Sequence, residues 1–85
     1  MIKNKIRTGL ISQKTGNKTT IFDGEKSVLY TFNETAAFMF DEIKIGRNEK
    51  EIIDQMTIKY KVDIKQAEND LKNFILELKT KKIID

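Results

Sequence analysis

The chain has 85 residues, of which 39% are hydrophobic and 34% are charged, and this length and balance fit one globular domain over residues 1–85. It contains no His, Cys, Pro or Trp. These absences exclude a zinc site built from Cys and His, a disulfide framework, a Cys or His nucleophile and a histidine proton relay. We expect neither a metal nor a cofactor.

The net charge is +3, and the excess positive charge lies near the amino terminus. Residues 1–26 hold six basic and two acidic side chains, whereas the rest of the chain is close to neutral. No apolar run approaches the ~18–20 residues of a membrane span, and the Lys-rich start lacks the apolar segment of a secretory signal. The sequence therefore predicts a cytoplasmic location and no membrane partner.

The first third of the chain is rich in the β-branched and aromatic residues of strands, interrupted by turn residues. The pattern predicts three strands joined as an antiparallel meander, at about residues 5–13, 18–22 and 26–32. The dipeptide Asp23-Gly24 is typical of a type I′ turn, so we expect the second hairpin to be the tighter one. In the third strand, Val28, Tyr30 and Phe32 alternate onto one face, which we expect to face the core.

After the third strand, the apolar spacing changes to that of helices. The pattern predicts three helices, at about residues 34–44, 49–60 and 64–81. Each is preceded by a good N-cap residue: Asn33, Asn48 and Asp63. The last two are followed three residues later by Glu or Gln, which completes a capping-box signature. Gly46 can end the first helix in a left-handed conformation.

The third helix carries a single apolar stripe. Its members are Ile64, Ala67, Leu71, Phe74, Ile75 and Leu78. Ile83 and Ile84 follow as a short tail that we expect to pack back on the core. The order of elements predicts an α+β fold with a three-stranded antiparallel sheet followed by three helices.

The sequence carries no motif of an enzyme. There is no GxGxxG, P-loop or GxSxG, and no carboxylate cluster with a partner base, so we predict that the protein is not an enzyme. A small DNA-binding regulator is one alternative, but both arginines, Arg7 and Arg47, lie outside the third helix. Lys79, Lys81 and Lys82 could still contact phosphate.

A second line of residues runs along the third helix beside its apolar stripe. Lys65, Lys72 and Lys79 repeat at heptad spacing, and Leu76 falls on the same side. An apolar residue flanked by lysines suits an acidic peptide with an apolar anchor, and the alternative is an ordinary solvated face. The third strand is an edge of the predicted meander, so it could accept a peptide strand or pair with a second copy of the chain.

From about Asp23 to its end, the chain resembles the PqqD-like family. The most specific part is the stretch from Phe32 to Ala37, Phe-Asn-Glu-Thr-Ala-Ala, which follows the family's Leu-Asn-x-Thr-Ala pattern. The other matching residues are Asp23, Gly24, Tyr30, Thr31, Gly46, Arg47, Ile52, Ile53, Asp70, Leu71, Phe74, Ile75, Leu76, Glu77, Leu78, Ile83 and Ile84. The amino-terminal strand matches only loosely, and Lys82 stands where the family often has Gly.

The resemblance implies a winged helix-turn-helix-like domain that recognises the leader segment of a ribosomally made precursor peptide. In that family the leader adds as a strand beside the third strand and lies against the third helix. The domain then hands the peptide to a modifying enzyme, often a radical SAM enzyme. Carried over by position, the peptide-binding residues would be Lys26, Ser27, Val28, Leu29, Tyr30, Thr31, Phe32, Lys65, Asn69, Lys72, Leu76 and Lys79.

The leading hypothesis is therefore a non-catalytic peptide chaperone in the biosynthesis of ribosomal peptide natural products (RiPPs). Its partners would be the precursor leader and the modifying enzyme, and nucleic acid is not expected. One alternative is a small winged-helix DNA-binding regulator. Another is a structural subunit that pairs through its open strand, so the oligomeric state is either a monomer or a strand-paired homodimer.

Overall fold

Three antiparallel strands precede three helices in the computed structural model, which describes residues 6–84 apart from residues 8 and 17. The elements are β1 (Leu10–Thr15), β2 (Lys18–Asp23), β3 (Val28–Phe32), α1 (Glu34–Lys44), α2 (Glu49–Tyr60) and α3 (Ile64–Thr80). The strands lie in the order β1-β2-β3, so β2 is central and β3 forms one edge. The predicted α+β fold is confirmed.

β1 begins later than the sequence pattern predicts. We expected it from residue 5, but residues 1–5 and 8 lie outside the described part of the chain. Gly9 has a left-handed backbone (φ 88°) and immediately precedes the strand. Before this turn, Ile6 forms an isolated antiparallel bridge with Ile84 instead of joining the sheet.

The two hairpin turns have the opposite relative lengths to those predicted. Thr15 pairs with Lys18, so only two residues join β1 to β2, and the first of them, Gly16, has φ 61°. Asp23 pairs with Val28, so four residues join β2 to β3. The predicted type I′ turn after β2 is therefore wrong, and the first hairpin is the tighter one.

The longer turn follows from the position of Asp23 in the structure. Its buried carboxylate accepts hydrogen bonds from the backbone N–H groups of Glu25 and Lys26, at 3.1 and 3.3 Å. These bonds hold the chain in a wider turn than a two-residue connection allows. Lys26 and Ser27 consequently lie in this turn and not in β3, and Ser27 has a left-handed backbone (φ 54°).

Each helix begins at the N-cap that the sequence predicts. The cap side chains accept hydrogen bonds from the backbone N–H three residues later, at 2.9, 2.8 and 2.7 Å: Asn33, Asn48 and Asp63. At α2 the capping box is complete, because the Glu51 carboxylate also accepts the Asn48 N–H at 3.0 Å. At α3 the Gln66 amide donates to Asp70 at 2.8 Å instead, so only half of the predicted box forms.

The hydrophobic core lies between the sheet and the helices. α3 contributes the buried residues Ala67, Leu71, Phe74, Ile75 and Leu78. Ile64, expected in the same stripe, is exposed. It is the first residue of α3 and lies about one turn before Ala67, the first buried residue of the helix. Ile83 and Ile84 are buried, as predicted, and Lys82 (φ 58°) makes a left-handed turn where the PqqD-like pattern often has Gly.

Arg7 ties the carboxyl-terminal tail to the turn before β3. Its backbone N–H donates to the Ile83 carbonyl at 2.8 Å, and its Nε donates to the Lys82 carbonyl at 2.7 Å. The same guanidinium pairs with Asp23 at 2.5 Å and with Glu25 at 2.6 Å. Arg7 therefore links the turn before β3 to the residues that follow α3.

Asp23 is a fully buried carboxylate, and its surroundings favour the charged form. Burial by itself would raise the pKa of Asp23. The Lys26 N–H hydrogen bond and the nearby charge of Arg7 outweigh this effect and hold the pKa below its ordinary value. The carboxylate is thus ionised at neutral pH. In this form it accepts the hydrogen bonds of the turn and also pairs with the Arg7 guanidinium.

Candidate functional site

β3 is the less protected of the two sheet edges. At the other edge, the Lys14 ammonium lies 2.9 Å from Asp41 of α1, and Lys44 donates to Ser12 at 3.3 Å. The hydrogen bond to Asp41 and its charge raise the pKa of Lys14 above its ordinary value. β3 has no charged side chain anywhere from Val28 to Phe32. Because edge lysines discourage strand pairing, β3 is, among the described strands, the edge better suited to an added strand.

Alternate residues of β3 face the two sides of the sheet. Phe32 is buried and Tyr30 half-buried on the helix side, as the sequence predicts, while Val28 at the start of the strand is exposed. Leu29 and Thr31 lie on the outer side of the sheet and are exposed. A strand added at this edge would alternate in the same way, with one set of side chains toward the helices and one set outward.

A cleft of about 450 Å³ lies where the end of β3 meets α1 and α3. Its lining comes from the strand end and the two helices: Thr31, Phe32, Asn33, Thr35, Ala36, Met39, Asp70, Asn73, Phe74 and Glu77. The apolar floor includes Phe32 and Phe74, whose ring centres lie 5.3 Å apart in an edge-to-face contact. Phe40, outside the lining, has its ring centre 5.6 Å from that of Phe32 in a tilted contact. In this packing, the flank of α3 that carries Asp70 and Glu77 borders the end of β3.

The helical wall of the cleft is polar and acidic. It presents Asp70, Asn73 and Glu77 on successive turns of α3. Glu77 pairs with Lys81 at 3.1 Å, whereas Asp70 makes no ion pair within the described part of the chain. The cleft thus joins an apolar floor to a wall that favours cationic or hydrogen-bonding groups.

Two lysines lie at the opposite end of β3, where the strand begins. The Lys81 ammonium sits 5.6 Å from the centre of the Tyr30 ring, a cation–π contact. Lys26 donates to the Lys81 carbonyl at 3.3 Å, which holds the turn against the end of α3. β3 therefore has lysines near its start and the acidic wall of the cleft near its end.

The sequence matches the family model described as coenzyme PQQ synthesis protein D (PqqD) over residues 18–84. That span covers β2, β3 and all three helices. The chain belongs to the PqqD family. No curated protein matches this PqqD-family chain in sequence.

Two solved structures are similar to this PqqD-family chain. TbiB1 in complex with the TbiA(beta) leader peptide has a TM-score of 0.90 and 20% identity, covering 95% of this chain and 94% of that chain. Lasso peptide synthetase B1 complexed with the leader peptide has a TM-score of 0.88 and 20% identity, covering 98% of this chain and 96% of that chain. At this identity, the likeness shows a shared fold.

The PqqD-family fold separates the predicted site residues into two groups. Thr31 and Phe32 line the cleft, and the rest of β3 leads into it. Five predicted residues of α3 do not line it: Lys65, Asn69, Lys72, Leu76 and Lys79. At about 100° per residue, they lie roughly 90° to 170° around α3 from the wall formed by Asp70 and Glu77. These five residues occupy the solvent side of α3 and the flank away from the cleft. The flank that carries Asp70 and Glu77 lies toward β3, where Phe74 contacts Phe32.

Sequence reasoning missed most of the cleft lining of the PqqD-family chain, and also Lys81 beside Tyr30. The missed lining residues are Asn33, Thr35, Ala36, Met39, Asp70, Asn73, Phe74 and Glu77. The apolar stripe of α3 indicated which face is buried, but both of its flanks are equally compatible with that stripe. Asp70 and Glu77 lie one heptad apart beside Phe74, and this spacing was the available signal. Only contact with β3 distinguishes this flank from the lysine flank.

The described part of the PqqD-family chain has no helix long and apolar enough to cross a membrane. Within the same residues, no three Asp or Glu side chains gather into a group that could hold a metal ion.

Proposed function

We propose that this PqqD-family domain binds the leader segment of a ribosomally made precursor peptide by strand addition to β3. The domain acts without catalysis and presents the peptide to a modifying enzyme. The observation that carries this proposal is an uncharged edge strand running into a cleft of about 450 Å³. The two similar structures, both complexes with leader peptides, support it.

Main-chain hydrogen bonds supply the common part of the affinity. An extended peptide of about five residues matches the length of β3, from Val28 to Phe32. It can form about four or five backbone hydrogen bonds, each contributing roughly 0.5–1.5 kcal/mol net. This contribution depends little on peptide sequence, so selectivity comes from the side chains.

The cleft supplies the selective part. An inward side chain at the end of the added strand would rest on the apolar floor beside Phe74 and Met39. The wall at Asp70 favours a cationic or hydrogen-bonding neighbour, and Lys26 at the other end favours an acidic one. This differs from the expectation that acidic leader residues meet the lysine line of α3. The partner enzyme is the class that the family resemblance implies, often a radical SAM enzyme.

The test is an NMR titration of the isotope-labelled chain with a synthetic leader from the precursor encoded beside its gene. Shifts along β3 and around the cleft are the expected result. A DNA duplex of mixed sequence is titrated in parallel. Shifts with the duplex alone, centred on lysines and abolished by salt, would instead support the DNA-binding alternative.

Two charge reversals on α3 decide which flank borders the peptide. Asp70 and Lys72 lie on opposite sides of the helix and are two residues apart, so their replacements are matched in position and size of charge change. We expect Asp70→Lys to weaken leader binding by about three- to tenfold, and Lys72→Glu to change it by less than about twofold. The reverse ranking would place the peptide on the lysine line.

A further inference from the structure

The outer face of the sheet carries a row of apolar side chains that the cleft does not use. Ile11 pairs with Phe22, and Phe22 pairs with Leu29, so the three lie directly opposite one another across β1, β2 and β3. All three are exposed, by 66%, 41% and 62% respectively. Within residues 6–84, apart from 8 and 17, no helix covers this row, since the helices pack on the opposite face.

The exposed fractions follow the number of neighbouring strands. Phe22 has an apolar partner on both sides and is the least exposed, whereas Ile11 and Leu29 each have one partner and end at a sheet edge. At the Ile11 edge, lysines of β1 and α1 discourage pairing. At the Leu29 edge, the strand from Val28 to Phe32 carries no charged side chain. An added strand there would give Leu29 the second neighbour that Phe22 already has.

The row is one residue wide. On one side lies the polar row of Gln13, Thr20 and Thr31, which are also in register across the sheet. On the other side the β2–β3 turn begins at the exposed Gly24. A stable protein interface buries about 800 Å² on each partner, which such a strip does not offer by itself. The width of the row instead matches a single side chain from one added strand.

Resting on the proposed function, we propose that the bound leader carries an apolar side chain on the outward face of its strand, paired with Leu29. The peptide would then extend the Ile11–Phe22–Leu29 row to a fourth strand. The domain would read the leader on both faces: through the cleft on the inner side, and through a cross-strand apolar pair on the outer side.

The test compares two outward, exposed strand residues in the full chain. Leu29→Thr removes the proposed partner, and Ile11→Thr makes a similar change at the far edge; Thr suits a strand at both positions. Fluorescence anisotropy measures the Kd of a labelled synthetic leader for each variant. We expect Leu29→Thr to raise the Kd by about two- to fivefold and Ile11→Thr to raise it by less than about 1.5-fold.

A threonine scan of the leader identifies the pairing position. One apolar leader residue should lose its contribution in the Leu29→Thr background and keep it in the Ile11→Thr background. An unchanged Kd for Leu29→Thr, with NMR shifts still along β3, would overturn this inference and leave the proposed function standing. Absence of leader binding to the unaltered chain would overturn both.

Two further outcomes would assign the row to a different occupant. Equal weakening by Ile11→Thr and Leu29→Thr would mean that the leader or its partner covers the whole row. A dimer in sedimentation that either replacement dissociates would mean that a second copy covers it. Either result contradicts a pair confined to Leu29. Circular dichroism is the control that both variants are folded.

Discussion

Truncating two nearby side chains tests the phase of α3, that is, which face of the helix is buried against the sheet. Phe74 is 6% exposed and meets the Phe32 ring edge to face, so Phe74→Ala removes a buried ring from the floor of the cleft. Such truncations cost about 3–5 kcal/mol. A chain of 85 residues is expected to have a total stability of only about 4–13 kcal/mol. The change therefore removes a large share of the free energy of unfolding.

Leu76 is the matched control on the same helix. It lies two residues further along α3 and is 63% exposed. Leu76→Ala should change the free energy of unfolding by no more than about 0.5 kcal/mol, because little surface is buried there and Ala is a good helix former. The expected difference between the two variants is thus at least about 2.5 kcal/mol.

Urea unfolding followed by far-UV circular dichroism measures both variants, and thermal melting gives a second reading. In a domain of this size, a loss of 3 kcal/mol lowers Tm by about 12 °C or more. If Phe74→Ala does not fold, Phe74→Leu keeps more of the side-chain volume and should cost less than the full truncation, but more than Leu76→Ala. A larger loss at Leu76 than at Phe74 would refute the phase of α3, and with it the described cleft.

Two further predictions concern acid stability and helix capping. Because the folded pKa of Asp23 lies below its unfolded value near 3.8, its carboxylate stabilises the fold above that pH, and this stabilisation is lost as the pH falls through the folded pKa. Arg7→Met should therefore move the midpoint of acid unfolding, followed by circular dichroism, to higher pH. Lys65→Met, at an exposed position of α3, should leave the midpoint unchanged. Equal midpoints would contradict the role given to the Arg7 pair. Asn48→Ala should cost about 1 kcal/mol in urea unfolding by removing the capping box of α2, and a similar loss at the exposed mid-helix Asn69→Ala would contradict that cause.

The helices were predictable from the sequence because their boundaries depend on residues close together in the chain. At Asn33, Asn48 and Asp63, the cap side chain and the N–H that it accepts are only three residues apart. The apolar spacing that follows is equally local, so it identifies the buried face of each helix. The open third strand was predictable too, because a three-strand meander leaves its last strand at an edge.

The turn before β3 was mispredicted because a distant residue determines it. Asp23-Gly24 alone favours a two-residue turn, but Arg7, sixteen positions earlier, draws the Asp23 carboxylate into a buried ion pair. That carboxylate then accepts the backbone N–H groups of the turn. No local pattern encodes the approach of this guanidinium.

By itself, the sequence determined the order of elements, the helix caps and the edge strand, since each of these rests on neighbouring residues or on strand count. Only the tertiary structure decided which flank of α3 faces β3. The apolar stripe is bordered by lysines on one flank and by Asp70 and Glu77 on the other, and both arrangements bury the same residues. In the structure, Phe74 meets Phe32 of the edge strand, and Asp70 and Glu77 on the same flank of α3 line the cleft at the end of that strand. This choice depends on contacts between residues far apart in the chain, which no local pattern encodes.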